Sequence, residues 1–332
     1  MSSRGASAAG ETAAPPVATV HDAPAIIALL GPTGVGKTAA AVALCQQLNG
    51  EIVGADSVQV YRGFDLGSNK PTPAELRGVA HHLIDVLEPT EHIDAASFAV
   101  RADAAIAELS ARGKVPVVVG GTGLWLRALL RGLVQLPAVD AELRRGLEQD
   151  FQTLGADVLH ARLRELDPLT AARVHQSDMV RVVRALEVHA QTGHPLGELR
   201  AAHALGAPRY RAHTVVLDLP LPEWRELLAA RTARMLAAGF VEEVRGLVAR
   251  HGPALRALRA VGYRQVAEGL AAGHDEVEMA RRVLSATAIY GRRQRNWFRT
   301  EPGITARLSP SALLYPDSVA DLQRHLQRDG RA

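Results

Sequence analysis

The 332 residues are 47% hydrophobic and 22% charged, the balance of a folded globular chain, which excludes a fibrous, collagenous or wholly disordered protein. At roughly 150 residues per domain, this length corresponds to about two domains. A formal net charge of +3 conceals a bias, because only Lys37, Lys70 and Lys114 of the 38 basic residues are lysine, and arginine is the cation whose planar fork suits phosphate.

Residues 1–24 are mostly Ala, Gly, Ser and Pro without apolar periodicity, and are expected to form a flexible tail. A short apolar run at 25–30 predicts the first buried strand. A glycine-rich turn follows, then an alanine-rich helix over 37–48. Further strands are expected at 51–55, 82–87, 115–119 and 213–219, each leading through a loop into helical pattern. That alternation predicts an α/β fold, a parallel sheet with helices on both faces. The long stretch between the last two strands reads almost entirely as helix, which is too much for one crossover. An all-helical insertion domain over 138–205 is the economical reading, leaving 25–137 and 206–332 as the core. From residue 222 onward the pattern is amphipathic helix with no clear strand.

Gly31-Pro32-Thr33-Gly34-Val35-Gly36-Lys37-Thr38 is a phosphate-binding loop by pattern, set between a strand and a helix. Glycines let successive N–H groups converge on phosphate oxygens, the helix N-terminus adds partial positive charge, and Lys37 adds a full one. Thr38 is placed to bind Mg2+. The loop implies a bound di- or triphosphate and leaves kinase, hydrolase and transferase open. Asp56 ends the next apolar run, at the sheet edge where ligands bind. There it could hold a metal-bound water, accept a proton from a nucleophile, or cap the helix that follows.

Three segments, Gly31 to Thr38, Ala55-Asp56-Ser57-Val58-Gln59-Val60-Tyr61-Arg62-Gly63 and Val119-Gly120-Gly121-Thr122-Gly123-Leu124, together resemble the tRNA dimethylallyltransferase family. His81-His82-Leu83-Ile84-Asp85, Arg181 to Val188, Met235 to Phe240, Val261 to Gln265 and Arg292 to Arg299 match in the same order. The resemblance spans about residues 25–300. It implies transfer of a dimethylallyl group from dimethylallyl diphosphate to N6 of adenine 37 beside a tRNA anticodon, with Mg2+ assisting. It further implies that the loop holds a diphosphate leaving group, that Thr33 hydrogen-bonds its bridging oxygen, and that Arg231 stabilises its charge. Asp56 is then the base, because an exocyclic amine becomes acidic as its nitrogen bonds to carbon. Thr122 and Arg144 are implied to contact the RNA. Relatives usually carry another arginine four residues before Arg231, where this chain has Leu227.

Residues 281–299 hold six arginines and no acidic residue. On a helical wheel Arg292, Arg295 and Arg299 form one stripe, opposite Val283, Tyr290 and Trp297. The stripe is expected to meet RNA phosphate, together with Arg264 and Gln265 and with Arg181 and Arg184 of the insertion. An adenine stacked in an anticodon loop must be flipped out to reach Asp56, and the segment Asp56, Ser57, Val58 and Gln59 is expected to receive it, Gln59 reading the base. The expected partners are thus the tRNA anticodon stem-loop and dimethylallyl diphosphate, acting on a monomer. The histidines show no metal-ligand spacing. Cys45, the single cysteine, excludes an internal disulfide and points to a reducing, cytoplasmic setting, where the thiol packs in a helix. Neither a membrane span nor a signal peptide is expected.

Overall fold

A computed structural model describes residues 23–203 and 206–327. The rest of the expected tail, residues 1–22, lies outside the described residues. The core is a six-stranded, all-parallel sheet in the order β3-β2-β4-β1-β5-β6. Its strands are β1 (Ala25–Leu30), β2 (Gly50–Ala55), β3 (His81–His82), β4 (Val115–Gly120), β5 (Arg211–Leu217) and β6 (Ala306–Leu308).

Strand side chains alternate between two apolar clusters, which is why the central strands read as unbroken apolar runs. Ile26, Ala28, Leu30, Val53 and Val118 face one cluster, which they share with α3 (Ala95–Ala111) and α4 (Gly123–Arg131). The same cluster takes in α10 (Leu221–Ala237), α11 (Phe240–His251), α12 (Tyr263–Ala272) and α13 (Glu276–Thr300). Ile27, Leu29, Ile52, Val117 and Val215 face the other, covered by α1 (Lys37–Leu48) and α14 (Pro316–Gln327). Cys45 is buried there, and the loss of solvent pushes its thiol up to about 12, so it packs as an apolar group.

Two strand expectations need correction. The run 82–87 joins the sheet only through β3, with Leu87 making an isolated bridge to Tyr61, because Leu83 (φ 61°) and Asp85 (φ 53°) take left-handed backbone that no strand can continue. The C-terminal third does contain a strand, β6, whose three residues are too few to show a period.

The stretch 138–205 holds α5 (Ala141–Thr153), α6 (Ala156–Leu166), the short α7 (Pro168–Ala171), α8 (Met179–Thr192) and α9 (Leu196–His203). These helices share a core of their own, including Leu147, Leu159, Leu163, Val182 and Leu186. At its edge the buried carboxylate of Glu187 accepts from Arg144 and from the Asp140 N–H and forms an ion pair with Arg184. Among the described residues no helix is long and apolar enough to cross a membrane. Substituting Glu187→Ala strands two guanidinium groups at the mouth of that core and should cost about 3 kcal/mol. Chemical denaturation should show it, with proteolytic cleavage appearing first between 140 and 200.

Candidate active site

β1, β2 and β4 end side by side, so the loops after Leu30, Ala55 and Gly120 meet at one edge of the sheet. The first loop wraps over the start of α1, with Gly34 (φ 79°) and Gly36 (φ 94°) supplying backbone that side-chain-bearing residues rarely adopt. Lys37 turns its Nζ back along the loop and donates to the carbonyls of Gly31 (3.0 Å) and Pro32 (2.8 Å). Desolvation lowers its ammonium from 10.5 to about 8; Asp56 opposes that shift and Arg231 adds to it.

Asp56 leaves β2 in a tight turn where Oδ1 accepts from the N–H groups of Val58 (2.9 Å) and Gln59 (3.2 Å). The carboxylate therefore both caps the turn and lines the cavity. Among the described residues Oδ2 accepts no hydrogen bond, which leaves one oxygen for a ligand.

Thr33 is tied at every polar atom. Its N–H donates to Gln294 Oε1 (2.8 Å), its carbonyl accepts from Trp224 Nε1 (2.9 Å), and its hydroxyl accepts from Arg231 Nη1 (2.8 Å). Arg231 Nη2 lies 3.4 Å from the Ser68 carbonyl. Its Nε is buried without a partner, and burial lowers the guanidinium's affinity for its proton. Among the described residues neither Lys37 nor Arg231 has a carboxylate ion pair. Two cations withdrawn from water, with the Asp56 charge near but no direct ion pair, make a site for an anion.

The cavity divides at these residues. One chamber, of about 420 Å³, is lined by the phosphate loop, Arg231, Arg234, His81 and Leu227. The second, of about 360 Å³, is lined by Val58, Ile93, Met235, Ala260 and Val261 and rimmed by Arg256 and Arg259. Thr33, Asp56, Ser68, Arg231 and Tyr290 belong to both. The Tyr290 hydroxyl interacts with Thr122 and Gln294, and burial together with Asp56 makes it a weaker acid than an ordinary phenol. His81 is held neutral, its imidazole lowered to about 4 by burial and by His82.

Several sequence-predicted residues are engaged elsewhere. Thr122 caps no helix; its hydroxyl accepts from the Ser57 N–H (3.3 Å), bridging the loops after β4 and β2. Gln59 lines the phosphate chamber and donates to the carbonyls of Ser68 and Asn69. Gln265 is buried and accepts from the Gly262 N–H, so it closes the start of α12 and faces no partner outside. The arginine stripe of α13 is broken: Arg292 and Arg299 are exposed, but Arg295 pairs with Asp218 and lies against the Trp224 ring. Arg281 and Arg282 are neutralised by Glu278, one turn earlier. Arg144 and Arg184 hold Glu187, whereas Arg181 and Arg264 stay exposed beside Asp178 and Glu268.

Sequence reading missed Gln294, Trp224 and Glu243. Glu243 accepts from the N–H groups of Asp65, Leu66 and Gly67 and from the Tyr263 hydroxyl, which pins the loop carrying Ser68. For Gln294 a signal was present: it follows Tyr290 by four residues, an amide on the stripe that points inward.

The profile of the family described as IPP transferase matches residues 59–301. A tRNA dimethylallyltransferase of Anaeromyxobacter dehalogenans (strain 2CP-C) is 50% identical over 279 residues, covering 84% of this chain and 93% of the relative. The chain belongs to the IPP transferase family. A second member, the tRNA dimethylallyltransferase of Myxococcus xanthus (strain DK1622), is 44% identical over 88% of this chain and 95% of its own length. Among solved structures, the tRNA isopentenylpyrophosphate transferase of Bacillus halodurans superposes with a TM-score of 0.67 at 30% identity, over 93% of this chain and 99% of that one. A eukaryotic dimethylallyltransferase acting on tRNA shares the fold, with a TM-score of 0.74 at 23% identity over 91% of this chain and 78% of its own.

The displaced Lys37 titration gives a signed pH dependence for this member of the family. Bound diphosphate favours the ammonium, so affinity for inorganic diphosphate should be highest below about pH 8. Above it, affinity should fall by up to about tenfold per unit, with proton uptake on binding. Calorimetry in buffers of different ionisation enthalpy measures both. The unliganded protein behaves oppositely: the unfolded chain holds the extra proton between 8 and 10.5, so this group makes the fold more stable as pH rises through that window. Arg234, exposed with no ion pair among the described residues, completes the cationic side of the chamber where Leu227 contributes none. Arg234→Ala should weaken diphosphate binding about tenfold in the same titration.

Proposed function

We propose that the protein transfers a dimethylallyl group from dimethylallyl diphosphate to N6 of adenine 37 in tRNA, forming N6-(dimethylallyl)adenosine. The observation that carries this reading is the meeting of the two chambers at Asp56, Thr33 and Arg231. A leaving-group site on one side and a base-sized cavity on the other share one free carboxylate oxygen.

The diphosphate lies along the loop N–H groups, with Lys37 and Arg231 receiving the charge that grows on its oxygens as the carbon–oxygen bond breaks. The Thr33 hydroxyl accepts from Arg231 and so has its own proton free to donate to the bridging oxygen, which helps that oxygen leave. The flipped adenine enters the second chamber past Arg256 and Arg259, with its exocyclic nitrogen toward Asp56 Oδ2. As that nitrogen bonds to the allylic carbon, Asp56 takes one of its protons.

The residues present fit Mg2+. Among the described residues no cluster of three ligating side chains exists, so an ion here would rely on phosphate oxygens and water, the habit of magnesium. Thr38 would hold it, and the ion would supply charge neutralisation to the departing diphosphate. Exposed Arg292 and Arg299 on α13 and Arg181 on the insertion are the cations we assign to RNA phosphate.

A free adenylate acceptor is the alternative. The basic rim and the helical insertion favour RNA, since a mononucleotide needs neither. The protein with dimethylallyl diphosphate, Mg2+ and unmodified tRNA should add one five-carbon unit to a single adenosine, read by nucleoside mass analysis, and should leave AMP unchanged. Asp56→Asn should slow transfer by about 10²-fold or more while sparing diphosphate affinity. Modified AMP with untouched tRNA reverses the assignment.

A further inference from the structure

Gln294 lies in the last third of α13, against the loops that leave β1 and β4, and is nearly fully buried. Both ends of its amide are committed: Oε1 accepts from the Thr33 N–H at 2.8 Å, and Nε2 donates to the Gly121 carbonyl at 2.9 Å. With donor and acceptor both used, the amide can sit only one way round. Gly121 is shaped for it, since a Cβ there would fall 2.4 Å from Nε2.

The two loops so joined are the two halves of the reaction. Thr33 sits at the bridging oxygen of the leaving group. Gly121 is followed by Thr122, whose hydroxyl holds the Ser57 N–H beside Asp56. A chain of contacts from Thr33 through Gln294, Gly121, Thr122 and Ser57 thus sets the distance between the residue at the leaving group and the residue at the attacking nitrogen. The same bond removes the Thr33 N–H from the set that can turn to phosphate, so this loop position contributes through its hydroxyl alone.

We propose that Gln294 is a positioning residue for prenyl transfer, fixing the Thr33 hydroxyl and the Asp56 loop in mutual register without touching either substrate; the inference rests on the function proposed above. Displacements of about 1 Å in such a register cost about 10²-fold in rate. Gln294→Leu keeps the bulk and loses both bonds. Gln294→Glu keeps an acceptor for Thr33 but sets a carboxylate against the Gly121 carbonyl.

The test is a double-mutant cycle on kcat for tRNA prenylation with Gln294→Leu, Thr33→Val and the combined variant, beside calorimetric binding of inorganic diphosphate. Wild-type prenylation of tRNA is the control, and its absence would count against the function, not against this coupling. Gln294→Leu should lower kcat about 10²-fold with diphosphate Kd changed less than about threefold, and Gln294→Glu should fall between it and wild type. The combined variant should be far less impaired than the product of the single defects, because the Thr33 half of the register is already lost once the hydroxyl is gone. Defects that multiply overturn the proposal, as does a loss of diphosphate affinity matching the loss in kcat. If Gln294→Leu does not fold, the same cycle with the nearly isosteric Gln294→Glu decides between coupling and independence by the same two criteria.

Discussion

Thr33 is the point through which three side chains from two helices hold the phosphate loop still. Its N–H is taken by α13, its carbonyl by Trp224 of α10, and its hydroxyl by Arg231 two turns further along α10. A glycine-rich loop is otherwise free to relax toward whatever phosphate arrives. Here it is set in advance, and catalysis gains most from groups that need not reorganise when charge develops. The cost is visible in Arg231 and Lys37, two cations held out of water without a direct carboxylate ion pair.

A shared junction explains why a loop found in nucleotide-binding proteins can serve chemistry at carbon. The phosphate chamber ends at Asp56, and the second chamber begins there. A kinase needs its acceptor at the terminal phosphorus. In this chain the open carboxylate oxygen stands instead at the boundary, where the group attached to the diphosphate must lie. In the function we propose, the prenyl group therefore passes from one chamber to the other while the diphosphate stays against the loop.

The parts legible in the sequence are those in which cause and effect are close along the chain. The strand, loop and helix over 25–48 follow from one apolar run, glycines at left-handed positions and an alanine-rich stretch. Asp56 was readable because it ends a strand at the ligand-binding edge. Gln294 was harder to read: its place four residues after Tyr290 on the inward stripe hints at burial, but its partner is 261 residues away. Arg295 and Arg144 were read as free charge for the same reason: Asp218 and Glu187 lie 77 and 43 residues away and cancel them only in the folded chain, whereas Arg184 has Glu187 three residues on, within its own helix. Glu243 belongs to the same class, pinning a loop 176 residues or more upstream.

The position of β6 bears on biosynthesis. The turn after it brings Pro310 against Gly36, where a Cβ on the glycine would lie 3.7 Å from the proline ring. The neighbouring strand β5, Trp224 and Gln294 also come late. The loop over 31–38 is thus made well before Trp224, Gln294 and Pro310, and it takes its final walls only after they are made.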